Sequence, residues 1–310
     1  MPDFPLNTVA KKCASKRALR ALNVGLAAVL STVLASTVSG CKPPTSRAAL
    51  TAEPLVGAQP TELPQRIVSL DFCSDQYVLK LVDRQHILAL SPDAEKPHSY
   101  LRDQAAGLPT VRAVAESVIA LEPDLVVRAY GGGPGISHFL SRAGVPVLNI
   151  GWTGDVDGIK RVTQETAAGL GVPERGQAIV TELESRIAAL PYTESSRQVL
   201  YMTPSGTTTG PGSLVHDLMV TAGLSNFLTE PGWRSLPLER LAYQSPDMIA
   251  AAFFDTNAQS SSAWSVMRHP VAREQLSEHP TVYLNGAWMS CGAWFAIDAI
   301  ESLATQALTP

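Results

Sequence analysis

The sequence predicts an α/β protein of two lobes, each built on a parallel central sheet, joined by a single long α-helix. Three observations predict it. The stretch from Glu116 through Leu121, Pro123 and Asp124 into Leu125-Val126-Val127 returns as Glu239, Leu241, Pro246 and Asp247 leading into Met248-Ile249-Ala250. Both times the Pro-Asp pair stands seven and eight residues after the glutamate. Apolar strand-like runs alternate with helical patterns, and that alternation builds parallel sheets with covered faces. Between the two copies, Pro173 opens a helical pattern that lasts until Pro191.

The repeated stretch has one physical reading. A glutamate suits the positive end of a short helix. Proline ends that helix, aspartate turns the chain, and a buried strand begins. Two copies in one chain mean two lobes built alike.

The chain opens on a targeting segment, residues 1–40. Lys11, Lys12, Lys16, Arg17 and Arg20 form a basic region, and Ala21 to Val38 carries no charge. Val38-Ser39-Gly40-Cys41 then resembles a bacterial lipobox, in which the leader is cut before a cysteine that becomes lipidated. An ordinary cleaved signal and an uncleaved anchor helix are the alternatives. All three place the body outside the cytoplasm; the first makes Cys41 a lipid anchor in the periplasm or at the cell surface. The formal net charge is -4, and with five Lys/Arg and one acid in the leader the rest of the chain stands at -8. An acidic body argues against nucleic acid as a partner. Cys13 lies in the leader, so Cys73 and Cys291 remain, either as a disulfide or as two buried thiols.

Residues 41–64 read as a flexible tether, with Pro43, Pro44, Pro54, Pro60 and Pro64 and no apolar period. The first lobe spans 65–153. Its strands are expected at 67–70, 86–90, 125–128 and 145–150. Asp75 or Ser74 is expected to cap a helix over 76–82, Tyr130 to Gly135 to form a flexible turn, and 136–143 to be helical. Connecting helices occupy 154–191, expected at 156–170 and 173–190. The second is a rod of roughly 27 Å, long enough to strap two lobes together with little hinge motion. The second lobe spans 192–310. Strands are expected at 199–202, 248–254 and 282–284, and helices at 214–222, 264–276 (broken by Pro270) and 295–307.

The six histidines are scattered, none at zinc-helix spacing, so no bare-metal site is expected. No Gly-x-Ser-x-Gly elbow occurs, and Gly131-Gly132-Gly133-Pro134-Gly135 fits neither nucleotide-binding fingerprint. With no paired acid/base constellation and no cofactor motif, neither an enzyme nor a resident cofactor is expected. Ligands of parallel sheets lie beyond the carboxyl ends of the strands. Those positions hold Asp71, Phe72, Cys73, Arg128, Tyr130 and Trp152 in the first lobe, and Thr203, Trp233, Arg234, Asp255, Trp288 and Trp294 in the second. Tryptophan faces serve a large flat ligand, and arginine pairs with acidic groups.

Pro64-Gln65-Arg66-Ile67-Val68-Ser69-Leu70, the Glu116–Val127 stretch and its copy from Leu238 to Asp247 together resemble the substrate-binding proteins of ABC importers for iron-siderophores, haem and cobalamin. The resemblance runs from Pro64 to Ala307. It implies two Rossmann-like lobes joined by a backbone helix, with cargo held between them by a monomer. It also implies that Glu116 and Glu239, one per lobe, dock onto the two equivalent halves of a permease dimer. Ferric siderophore and cobalamin are the first expected cargoes. Haem is the alternative and would need an axial ligand such as Tyr130 or a loop histidine. A chelate-modifying enzyme or sensor on the same scaffold is the reading from a different class.

Overall fold

A computed structural model describes residues 63–191, 197–252 and 266–308. The leader, Cys41, most of the tether and Asp255 lie outside the described residues.

In the first lobe the order is β1 (Ile67–Ser69), α1 (Phe72–Leu81), β2 (Ile87–Ala89), α2 (Arg102–Ala105), α3 (Ala115–Ile119), β3 (Leu125–Arg128), α4 (Ile136–Arg142) and β4 (Val147–Asn149). Its strands pair in parallel in the order β2-β1-β3-β4. After α5 (Val156–Gly169) and α6 (Pro173–Ala188), the second lobe begins with β5 (Gln198–Met202), β6 (Thr207–Thr209), α7 (Leu214–Thr221), β7 (Ser225–Asn226) and β8 (Trp233–Ser235). It continues with α8 (Leu238–Leu241), β9 (Met248–Ala251), α9 (Pro270–Glu278), β10 (Thr281–Tyr283), α10 (Gly286–Met289) and α11 (Ile297–Ala307). Its parallel sheet has the order β10-β9-β5-β7, and β6 and β8 form a separate antiparallel pair. The two large sheets are therefore separate and share one connectivity.

The repeated aspartates explain part of that likeness. The Asp124 carboxylate accepts from the backbone N–H groups of Gln65 (2.7 Å) and Arg66 (3.0 Å), and its own N–H donates to the Arg66 carbonyl. The Asp247 carboxylate accepts from Gln198 N–H (2.6 Å), and its N–H donates to the Gln198 carbonyl. Each motif thus pins the strand it opens to the first strand of its own lobe.

Alternating residues of each strand serve two core layers, as the period of two requires. In the first lobe Ile67, Leu125 and Val127 pack with Tyr77 and Leu81 of α1, while Val68 and Val126 pack with Val118 and Leu140 on the other face. In the second lobe Val199, Tyr201 and Ala250 face α7 and α11, while Leu200, Met202 and Ile249 face Phe227 and Leu241.

The strap is a helix pair. Helix α6 has 16 residues, a rod of roughly 24 Å, and α5 lies beside it. Gly176 makes the close approach possible, because a Cβ there would run into the Cβ of Ala167. Ile159 of α5 and Leu183 of α6 belong to the second lobe's core, and Val162 and Ile179 to the first lobe's. Both helices are therefore packed into both lobes.

Three further ties cross the seam. Cys73 of α1 and Cys291 form a disulfide with Cα atoms 5.7 Å apart, which settles the alternative left open by the sequence. Trp294 and Phe295 are buried in the first lobe's core, edge-to-face with Tyr77 and stacked on Tyr100 respectively. Asp298 accepts from the Tyr100 hydroxyl (2.7 Å) and pairs with Arg186 of α6 (2.7 Å), whose guanidinium also grips Glu301.

Several expectations need correction. Helix α1 begins at Phe72, not 76, because Asp71 caps it: the carboxylate accepts from Ser74 N–H (2.9 Å) and the Ser74 hydroxyl completes a capping box. Pro270 does not break a helix but opens α9 behind His269, where its missing N–H costs nothing. Strands β6, β7 and β8 were not foreseen; each is two or three residues long, too short for a periodic signal. The stretch Tyr130–Gly135 is a tightly held loop rather than a flexible turn.

Candidate functional site

That loop is held from two sides. The second oxygen of Asp71 accepts from the backbone N–H groups of Ala129, Tyr130 and Gly131 at 2.8, 3.0 and 2.8 Å. Arg128 donates to the carbonyls of Gly131 (2.8 Å) and Gly133 (3.1 Å), to Ser137 Oγ (2.9 Å) and to Asn149 Oδ1 (3.4 Å). Gly131 lies so close to the Leu70 carbonyl that any Cβ would clash with it. Asp71 and Arg128 are both buried; Asp71 is held by backbone N–H groups, and Arg128 by two carbonyls and the side chains of Ser137 and Asn149. They shape the loop and do not line the cleft described below, which differs from the ligand contact expected of them.

The loop presents Tyr130, whose ring lies 5.9 Å from that of Phe72, which in turn meets His98 edge-on at 4.6 Å. Loss of water around its hydroxyl, and then the Asp71, Asp93 and Asp75 carboxylates, hold the Tyr130 phenol well above its ordinary pKa. Behind it, Asp75 has no exposed surface and accepts from Ser91 N–H (3.1 Å) and Ser91 Oγ (2.6 Å). Burial outweighs those hydrogen bonds and raises its pKa from 3.8 to about 6.

Phe72 opens onto a cleft of about 760 Å³ between the lobes. Trp152 and Thr153 come from the end of the first lobe. From the second come Tyr201 and Thr203 at the end of β5, Trp233 of β8, the start of α7, and Trp288 to Ser290. Trp152 and Trp233 are 84% and 58% exposed, so both rings are free to cover a guest. Tyr201 meets Trp233 edge-to-face at 5.9 Å, and burial keeps its hydroxyl protonated. Thr203, Ser205 and Thr207 line one wall as a hydroxyl relay with successive O–O distances of 2.9 Å.

Of the residues nominated from sequence, the cleft brings together Phe72, Trp152, Thr203, Trp233 and Trp288. Cys73 sits at its edge in the disulfide, next to Phe72 and opposite Ser290 and Gly292. Tyr130 stands beside it. Arg234 points to the face of β8 opposite Trp233, donates to the Pro231 carbonyl and lies 3.7 Å from Glu230. Trp294 is core, 8% exposed. Both are corrections: strand alternation turns the first away, and the seam needs the second as a plug. Sequence reasoning missed Tyr201, Met289, and Ser205 and Thr207 of the hydroxyl wall. Tyr201 reads as one more buried strand residue, and only its place near the strand's carboxyl end marks it. Among the described residues no cluster of three or more His, Cys, Asp or Glu could hold a bare metal ion. Glu116 and Glu239 are exposed, one on each lobe, on the short helices α3 and α8.

A family model described as Periplasmic binding protein matches residues 67–281. The chain belongs to the periplasmic binding protein family. Its solved relatives share the two-lobe fold. The haem-binding protein RhuT of Roseiflexus sp. RS-1 is 20% identical, with a TM-score of 0.61 over 78% of this binding protein and 99% of that chain. HutB of Vibrio cholerae, a periplasmic haem-binding protein, is 21% identical, with a TM-score of 0.63 over 79% and 99%. A protein of an Fe3+-hydroxamate transport system from Saccharomonospora viridis is 18% identical, with a TM-score of 0.59 over 79% and 93%. Among curated proteins, none matches the chain. Membership in the family makes this an extracytoplasmic binding protein with parallel-sheet lobes.

Proposed function

We propose that this binding protein captures a metal chelate, a ferric siderophore or cobalamin, between its lobes and delivers it to the permease of an ABC importer. One observation carries the reading: five aromatic side chains from both lobes converge on a single cleft, Phe72 and Trp152 from one side and Tyr201, Trp233 and Trp288 from the other. A volume of about 760 Å³ is in the range of sites for sizeable organic ligands. The guest brings its own metal ligands, so the wall supplies ring faces and hydroxyls instead of a coordination sphere. Spectral titration of the purified body with cobalamin, ferric siderophores and haem tests this. Saturable binding of at least one is expected, and none binding would defeat the reading.

Haem remains the second reading because Tyr130 and His98, an oxygen and a nitrogen donor, both border Phe72. Loss of water around the Tyr130 hydroxyl, and then the three nearby carboxylates, keep its proton in place and count against haem.

Glu116 and Glu239 are the docking residues of this reading. Exposed charges contribute little affinity but set register and encounter rate, which suits a carrier that must leave again. Reversing both charges is expected to reduce transport while leaving cargo affinity unchanged. A loss of affinity with transport per bound cargo intact would remove the role. Cys41 is the lipid anchor of the same reading, and mass spectrometry of the mature amino terminus should find lipid on it.

A further inference from the structure

We infer that the cleft is built for chelates without net negative charge and discriminates against polyanionic ones. The inference rests on the chelate-capture reading above and names the charge class of its cargo.

Among the described residues, no Asp, Glu, Lys, Arg or His lines the cleft; its polar side-chain groups are hydroxyls and indole N–H groups, none of them charged. The two arginines that could have served an anion are committed elsewhere, Arg128 to the 131–137 loop and Arg234 to the far side of β8. Residues 253–265, outside the described residues, contain no Lys, Arg or His, and their one charged residue is Asp255. The start of α7 reaches the cleft through Ser213 and Leu214, but Ser213 Oγ already accepts from His216 N–H. A helix start carries about half a positive charge, enough for a carbonyl and far short of several negative charges.

An anion entering such a cleft gives up water and finds no counter-charge, a loss that ring contacts do not offset. A neutral trihydroxamate, or a corrinoid edged with amides, gives up less and meets ring faces and hydroxyls that match it.

The test is a panel followed by tryptophan fluorescence, because three cleft walls carry that ring. The probes are ferrichrome and cyanocobalamin without net charge, ferrioxamine B as a cation, and ferric enterobactin as a trianion. At least one neutral or cationic probe should bind roughly 100-fold or more tightly than the trianion. Equal affinities, or the reverse order, would overturn the charge inference and leave chelate capture standing. A folded protein that bound no probe would remove both. In a second arm, Ser205→Arg places a cation on the exposed part of the hydroxyl wall. It should raise affinity for the trianion about tenfold or more while the protein stays folded by circular dichroism. No gain would show that charge is not read in this cleft, and the inference would fall.

Discussion

Asp75 is a carboxylate with no exposed surface, and its folded-state pKa of about 6 exceeds the 3.8 of the unfolded chain. The folded protein therefore holds this proton more tightly. The favourable contribution is complete below pH 3.8 and is lost as pH rises to about 6. The loss is on the order of 3 kcal/mol. Asp75→Asn should remove it, so urea denaturation at pH 7 should find the variant more stable than the parent. Between pH 4 and 6 the difference should shrink. Two tryptophans give a second contrast at this scale. Trp294→Ala empties a core site and should cost about 3–5 kcal/mol. Trp152→Ala, at a ring 84% exposed, should leave the melting temperature within a degree or two yet weaken cargo binding about tenfold or more. If the exposed ring proved neutral for binding, the cleft would lose its chief contact from the first lobe.

Among the elements, the repeat of a glutamate followed seven and eight residues later by Pro-Asp was legible from sequence because it marks an obligatory backbone event twice. Asp124 and Asp247 fasten equivalent strands, so residue type and place could not vary independently. The site was half legible. Aromatics at strand ends were found because their size and position are both unusual. Asp71, Arg128 and Arg234 were misassigned because position along a strand does not reveal how a carboxylate or guanidinium is already satisfied. Three backbone donors converging on Asp71 come from residues 58 to 60 positions away, a relation only tertiary structure displays. Of the hydroxyl wall only Thr203, at a strand end, was visible; Ser205 and Thr207 were not, since Thr and Ser are ordinary loop residues. The α5–α6 pair offers an element-scale test. Gly176→Val forces the helices apart at Ala167 and should cost about 1–3 kcal/mol by chemical denaturation. A neutral outcome would mean that the pair adjusts without strain and does not hold the lobes stiffly.

For the whole molecule, the decisive feature is that residues 291–298 of the second lobe are sewn into the first. A disulfide, two buried aromatics and the Asp298 carboxylate all act within that segment. Such a seam opposes wide opening of the cleft, whose lining includes the exposed rings of Trp152 and Trp233. The bridge closes a loop of 218 residues, and replacing both cysteines with serine should cost about 2–5 kcal/mol. Denaturation midpoints of the parent should fall when a dithiol reductant is added, and those of the double variant should not move. Because the bond joins partners so distant in the chain, it forms only after synthesis is complete and an oxidant is met. Material produced in a reducing cytosol would leave the ribosome with two free sulfhydryls beside the cleft. Such a preparation would understate affinity for reasons unrelated to the pocket's own chemistry, and the redox history of a sample belongs beside every binding curve measured on it.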